Sequence, residues 1–228
     1  MAHRVYAGTM ALLFDLDGTL LDSVTLILAS FRHTHRVHFG TDRPDEFWLA
    51  GIGRTLRDRF AAITDDEEQI EALIATYREH NLAHHDAQVR PYPRVRETLT
   101  SLAERGVPMA LVTSKMRVGA EAGLRVLGLE SILQIRVCGD DVARGKPDPL
   151  PVRMALEALG VDPAEAIFVG DSPHDIEAGQ RAGVRTAAAS WGPFDPAMLR
   201  ALQPTYWLRS ITDLEPLVDG ADGPRRRR

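Results

Sequence analysis

Lysine is almost missing from this chain. Of its 27 Lys plus Arg residues, only Lys115 and Lys146 are lysines. Arginine serves wherever a surface cation will do, so each lysine reads as a chemical requirement. Cysteine is scarcer still: Cys138 alone excludes an internal disulfide and a Cys-based zinc cluster. That usage fits a reducing compartment, and a cytoplasmic location is expected. No apolar run approaches the ~18 residues of a membrane span. The opening MAHRVYAGTM lacks the apolar stretch of a secretory signal. Positive charge is not in excess either; a net charge of -5 argues against general electrostatic binding to nucleic acid. The exception is Arg225 to Arg228, behind a Gly/Asp/Pro stretch, and 220–228 is expected to be a disordered, solvated tail.

What is present is ordinary for a soluble globular protein, with 44% hydrophobic and 26% charged residues over 228 positions. The length argues for one main domain with a modest insertion. Short apolar runs at 11–14 (ALLF), 108–113 (PMALVT), 135–138, 166–169 (AIFV), 184–189 and 206–208 read as strands. Helical stretches at about 95–105, 150–159 and 176–182 fall between them, closed by Gly106, Gly160 and Gly183. Such alternation predicts an α/β fold, a parallel sheet with helices on both faces. The segment 23–89 breaks the pattern and reads as successive helices at 24–37, about 44–50, 55–62 and 67–84. Ile70, Leu73, Ile74 and Tyr77 recur there at helical spacing. Pro91 and Pro93 mark the return, so 1–22 and 90–228 are expected to form a core and 23–89 an all-helical insertion.

In open parallel sheets ligands bind beyond the carboxyl ends of the strands. There the sequence reads Asp15-Leu16-Asp17-Gly18-Thr19, then Thr113-Ser114-Lys115, then Gly145-Lys146-Pro147-Asp148, then Gly170-Asp171-Ser172-Pro173-His174-Asp175. Helix capping accounts for Asp22, Ser23, Ser172 and Asp148 as well as any chemical role does. It accounts poorly for Asp15, Asp17, Asp171 and Asp175 together, because four converging carboxylates repel and resist desolvation. With Lys146 the one protein cation expected among them, a divalent metal on oxygen ligands answers the charge, and oxygen-only ligation favours Mg²⁺ over Zn²⁺. A metal, a lysine and a hydroxyl around a carboxylate suit a phosphoryl group, which one carboxylate can attack while a second moves protons.

These four motifs, in order, resemble those of the haloacid dehalogenase-like hydrolases over almost the whole chain. The resemblance implies a Rossmann-like core, with the insertion as a helical cap. It implies Asp15 as nucleophile and Asp17 as general acid/base. It further implies Asp15, the Asp17 backbone carbonyl and Asp171 as Mg²⁺ ligands, with Asp175 in the outer shell. Thr113, the Ser114 N–H and Lys146 would bind the phosphoryl oxygens. Dehalogenases of the family lack an acid at the position of Asp17. Phosphonatases use a cap lysine, and the cap here has none; arginine cannot replace it because it stays protonated. The stretches Gly170 to Gly179, Ala189 to Phe194 and Pro204 to Leu208 look most like phosphoglycolate phosphatases and the related bacterial pyrophosphatases.

The expected activity is hydrolysis of a small phosphorylated metabolite, such as phosphoglycolate or pyrophosphate, by a monomer or homodimer. A phosphosugar mutase of the same family and a receiver-like phospho-acceptor are the alternatives. Asp17 speaks against the second, since a signalling domain gains nothing from a base that hastens loss of its phosphate. Gly51-Ile-Gly-Arg54 is a candidate substrate loop: its glycines permit close approach, and Arg54 offers bidentate pairing. His33, His35 and His38 do not share one helix face and are expected to be solvated. His174 reads equally as a helix start or a substrate contact. Cys138 reads as a small buried apolar residue. Gly139 to Lys146 is no P-loop, since Pro147 stands where a hydroxyl would hold Mg²⁺.

Overall fold

The computed structural model describes residues 10–219; the expected tail at 220–228 lies outside them. Six strands form one parallel sheet in the order β5-β4-β1-β6-β7-β8. They are β1 (Ala11–Phe14), β4 (Met109–Val112), β5 (Ile135–Val137), β6 (Ala166–Gly170), β7 (Arg185–Ala189) and β8 (Tyr206–Leu208). The chain leaves β1 for one edge through β4 and β5, then crosses back to fill the other side through β6, β7 and β8. The crevice at the carboxyl end of β1 lies where the winding reverses.

Strand side chains alternate between two apolar layers, as the period of two requires. Leu12, Phe14, Leu111, Ile167 and Val169 pack on one face under α5 (Val95–Glu104) and α6 (Arg117–Leu127). Ala11, Leu13, Ala110, Val112 and Phe168 pack on the other under α7 (Leu150–Leu159) and α8 (Pro173–Ala182). Both faces are covered, which is why these strands read as unbroken apolar runs. Two short helices follow: α9 (Pro196–Ala201) packs Leu199 against Ile176 and Ala188, and α10 (Leu214–Val218) adds Leu214 to the layer under α5 and α6. The left-handed glycines Gly160 and Gly183 end α7 and α8.

Between β2 (Leu21–Asp22) and β3 (Arg90–Pro91) run α1 (Val24–Phe39), α2 (Asp45–Leu49), α3 (Leu56–Ala61) and α4 (Glu67–Gln88). Phe31, Trp48, Phe60, Leu73, Ile74 and Tyr77 give this insert its own core, with Phe31 stacked on Trp48 at 5.1 Å. Asp66 caps α4 by accepting from the Glu68 and Gln69 N–H groups. Helices α1 and α4 run further than the periodicity predicts, and α6 and the two-residue β2–β3 ribbon were not anticipated. The expectation for His35 also needs correction. It lies one turn after Phe31 on the same face, so it is buried, bonded through Nδ1 to the Thr41 carbonyl and edge-on to Trp48. His38 pairs with the Thr76 hydroxyl, whereas His33 is exposed and stacks on His80.

Candidate active site

Three neighbouring strands deliver the central residues. Asp15 follows β1, Thr113 follows β4 and Asp171 follows β6. Sheet-type bonding runs one residue past the strand ends: Asp15 N–H donates to the Val169 carbonyl and Thr113 N–H to the Val137 carbonyl, each at 2.9 Å. These residues therefore inherit the rigidity of the sheet. Lys146 reaches in from the loop before α7. Its Nζ donates to Asp15 Oδ1 at 2.7 Å and to Asp175 Oδ1 at 2.5 Å, and the side chain is buried. Burial opposes its charge, yet the two carboxylates hold its pKa above the ordinary lysine value.

Asp171 is fully buried. Its Oδ1 accepts from the Thr19 hydroxyl at 2.6 Å, while its Oδ2 has no hydrogen-bond partner among the described residues. The loop is shaped to this carboxylate. A Cβ on Gly18, at φ +89°, would stand 2.4 Å from Asp171 Oδ2, and one on Gly192 would stand 2.3 Å from Asp171 Cβ. Trp191 Nε1 holds the same loop through the Thr19 carbonyl at 3.0 Å. Burial pushes Asp171 well above the ordinary carboxylate pKa, and the charges of Asp175 and Asp15 push the same way. Burial also raises Asp15, to about 7, against the pull of Lys146 and with the push of Asp175. Carboxylate oxygens of Asp15, Asp171 and Asp175 lie within 4.8 Å of one another. With Asp15 and Asp171 ionised, three buried carboxylates against one buried ammonium would leave two negative charges unanswered. A divalent cation balances that count.

Asp175 differs from its companions because both of its oxygens already have protein partners. Oδ2 accepts from the Ser172 N–H at 3.0 Å and hydroxyl at 2.6 Å, completing a capping box for α8. Ser172 is thus a helix cap. Asp148 likewise accepts from Leu150 N–H at the start of α7. Ser23 is not a cap: its side chain makes no cap bond and donates instead to Asp17 Oδ1 at 2.6 Å. The other lysine corrects the expectation that Lys146 is the only protein cation here. Lys115 Nζ bonds both oxygens of Asp17, at 2.8 and 3.1 Å. Its rarity in an arginine-rich chain marks Lys115 as a chemical requirement, but only the fold shows that Asp17 is its partner.

Asp15, Asp17, Thr113, Ser114 and Lys115 line one wall of a cavity of about 320 Å³. The other wall comes from the insert and includes Gly53, Arg54, Arg57, Tyr77 and Arg78. The Ser114 hydroxyl donates to the Gly53 carbonyl at 2.6 Å, joining the two walls. Gly53 has φ +91°, and a Cβ there would stand 2.7 Å from Ser172 Oγ and 3.3 Å from the His174 ring, so only glycine seats this loop on the core. Burial, and after it the Asp17 charge, pushes the Tyr77 phenol up. Cys138 is buried, which raises its thiol pKa to about 12.

The matching family model is that of the haloacid dehalogenase-like hydrolases, over residues 12–189. The chain belongs to that family. Pyrophosphatase PpaX of Halalkalibacterium halodurans is 42% identical over 206 residues, covering 90% of this chain and 95% of the relative. Among solved structures, a protein assigned to the haloacid dehalogenase-like hydrolases from Bacteroides fragilis superposes with a TM-score of 0.84 at 27% identity. It spans 90% of this chain and 99% of its own. A protein assigned as a phosphoglycolate phosphatase from Lactobacillus plantarum gives 0.82 at 26% identity, spanning 92% and 99%. Within this hydrolase family the chain is an enzyme of the phosphatase kind. Among the described residues no helix is long and apolar enough to cross a membrane.

Proposed function

We propose that this haloacid dehalogenase-like hydrolase cleaves a small phosphorylated metabolite through an aspartyl-phosphate formed on Asp15, with Mg²⁺ bound beside it. One observation carries the reading: next to a buried Asp15, Asp171 keeps an unpartnered buried oxygen in a cluster of three carboxylates whose ionised form a divalent cation would balance. An oxygen-only donor set suits a hard cation such as Mg²⁺. Asp15, Asp171 and the backbone carbonyl of Asp17 would hold it, with Asp175 acting indirectly through Lys146 and the α8 cap. Bound there, the ion would neutralise charge on the phosphoryl oxygens.

The protein groups do the rest. An Asp15 carboxylate oxygen attacks phosphorus, the bond from phosphorus to the leaving oxygen breaks, and Asp17 gives that oxygen a proton. Asp17 then takes a proton from water as the water oxygen attacks the same phosphorus. Inorganic phosphate leaves and the Asp15 carboxylate is restored. Thr113, the Ser114 N–H and Lys146 hold the phosphoryl oxygens, and Arg54 faces the remainder of the substrate. A cavity of about 320 Å³ sits at the small end of ligand sites, which span ~300–1,000 Å³. Pyrophosphate and phosphoglycolate are the substrates proposed, and the likeness to pyrophosphatase PpaX supports the first.

The test is phosphate release from a panel containing pyrophosphate, phosphoglycolate, hexose phosphates and p-nitrophenyl phosphate. Asp15→Asn should stay folded and lose turnover by at least about 10³-fold. EDTA should abolish the wild-type rate and Mg²⁺ restore it. Full activity in Asp15→Asn would remove the nucleophile assignment, and indifference to EDTA would remove the metal.

A further inference from the structure

We propose that Arg78, on the helical wall of the cavity, binds a second anionic group of the substrate and so selects phospho-compounds whose leaving group carries its own oxyanion over phosphomonoesters whose leaving group is uncharged. This rests on the phosphatase reading above and adds to it a residue that no motif marks. Glu71, Ile74, Arg78 and Leu82 follow one another along α4 at spacings of three and four, so one face of the helix looks into the cavity.

The charges on that wall are unevenly spent. Arg57 is bonded to Glu67 and Glu71, which occupies its guanidinium within the insert. Asp58 accepts from the Thr55 hydroxyl. Arg78 makes no ion pair or side-chain hydrogen bond among the described residues, and its Nε is buried without an acceptor. A buried donor in that state calls for a partner. Arg59 also has an unpartnered buried Nε, but its guanidinium lies over the Phe47 and Trp48 rings, at 4.1 and 5.2 Å, and outside the cavity lining. Those aromatic faces account for Arg59. Nothing comparable accounts for Arg78.

The wall opposite carries Asp15, Thr113 and Ser114, where the reacting phosphoryl group would sit. In so small a cavity, a leaving group with its own oxyanion brings that oxyanion toward the helical wall. A guanidinium stays charged and presents paired N–H donors, which match a phosphate or a carboxylate edge-on. The shared chemistry is a compact oxyanion on the leaving group, and the substrate arms separate its two sources.

The experiment compares kcat and KM of wild type, Arg78→Met, Arg78→Lys and the exposed control Arg36→Gln, all with Mg²⁺. Substrates are pyrophosphate, phosphoglycolate and p-nitrophenyl phosphate, whose ring bears no second ionised group. Thermal unfolding verifies that each variant is folded. For Arg78→Met, kcat/KM for a substrate with a second anionic group should fall about ten-fold or more relative to that for p-nitrophenyl phosphate, mostly through KM. Arg78→Lys should recover part of the loss, and Arg36→Gln should keep the wild-type ratio. A fall confined to pyrophosphate identifies the second group as phosphate; one confined to phosphoglycolate identifies a carboxylate. An unchanged ratio in Arg78→Met, with wild type active on these substrates, would overturn the Arg78 proposal alone. Wild type inactive on every substrate would bring down the phosphatase reading and this proposal together.

Discussion

On the sheet side of the cavity the charged groups are tied to one another: Lys146 to Asp15 and Asp175, and Lys115 to Asp17. On the helical side, Arg54 and Arg78 have no such partner among the described residues. The sheet wall is assembled from strand ends whose backbone bonds already fix direction, so its side chains can be held before any ligand arrives. Such preorganisation is what stabilises charge developing during reaction. The helical wall rides on an insert joined to the core by the short β2–β3 ribbon; Arg57 there is tied to Glu67 and Glu71, while Arg54 and Arg78 stay uncommitted among the described residues. Fixed charges suit chemistry, and uncommitted ones suit recognition.

Several changes would break or sharpen that contrast. The largest expected effect is on the sheet wall: Asp17→Asn should lower kcat by about 10²–10⁴-fold with little change in KM. An effect on KM alone would move Asp17 to the recognition side. Next comes stability. Lys146→Met leaves Asp15 and Asp175 buried without their cation and should cost about 3–5 kcal/mol in urea unfolding. Arg54→Gln, with no partner to strand, should stay within about 0.5 kcal/mol of wild type. Equal losses in the two variants would erase the distinction between the walls.

The smallest effect is a dependence on pH. Asp15 titrates near 7 in the folded protein against an ordinary value of 3.8, so the folded state holds more protons across that interval. Metal-free protein should therefore lose stability as pH rises from about 4 to about 7, and the raised Asp171 acts in the same direction. His174, whose pKa burial lowers, works oppositely near its own titration, so the clean readout is a difference. The gain in Tm on adding Mg²⁺ to EDTA-treated protein should widen by roughly a few degrees as pH rises through this window, because metal and protons compete for the same carboxylates. A gain that narrows with pH would contradict the assignment of Asp15 and Asp171 as the groups that hold the ion.

The centre of the parallel sheet was legible because β1, β4 and β6 are covered on both faces, which writes them as apolar runs that lead directly into Asp15, Thr113 and Asp171. Helix α6 was not. Gly119 and Gly123 depress its helical signal, and Gly123 sits tight against the core, where a Cβ would stand 3.1 and 3.2 Å from the Leu16 and Leu21 side chains. Close packing against the core overrode local propensity. The mutual spacing of the three histidines does not reveal burial; His35 is buried because it lies four residues after Phe31 on the same face of α1. The link between Lys115 and Asp17 spans 98 positions, and no local pattern announces it. Arg78 is one arginine among many, set apart by a buried Nε on the cavity wall that has no acceptor among the described residues.

By itself, the order of residues determined the strand-and-helix alternation, the helical insert and the acidic strand ends, since each is written in hydrophobic period or in a short contiguous motif. Tertiary structure alone decided which carboxylates share a lysine, which oxygen of Asp171 is left bare and which arginines remain unpaired. Those outcomes depend on distances between segments far apart along the chain, and on burial, which turns an ordinary aspartate into one that calls for a cation.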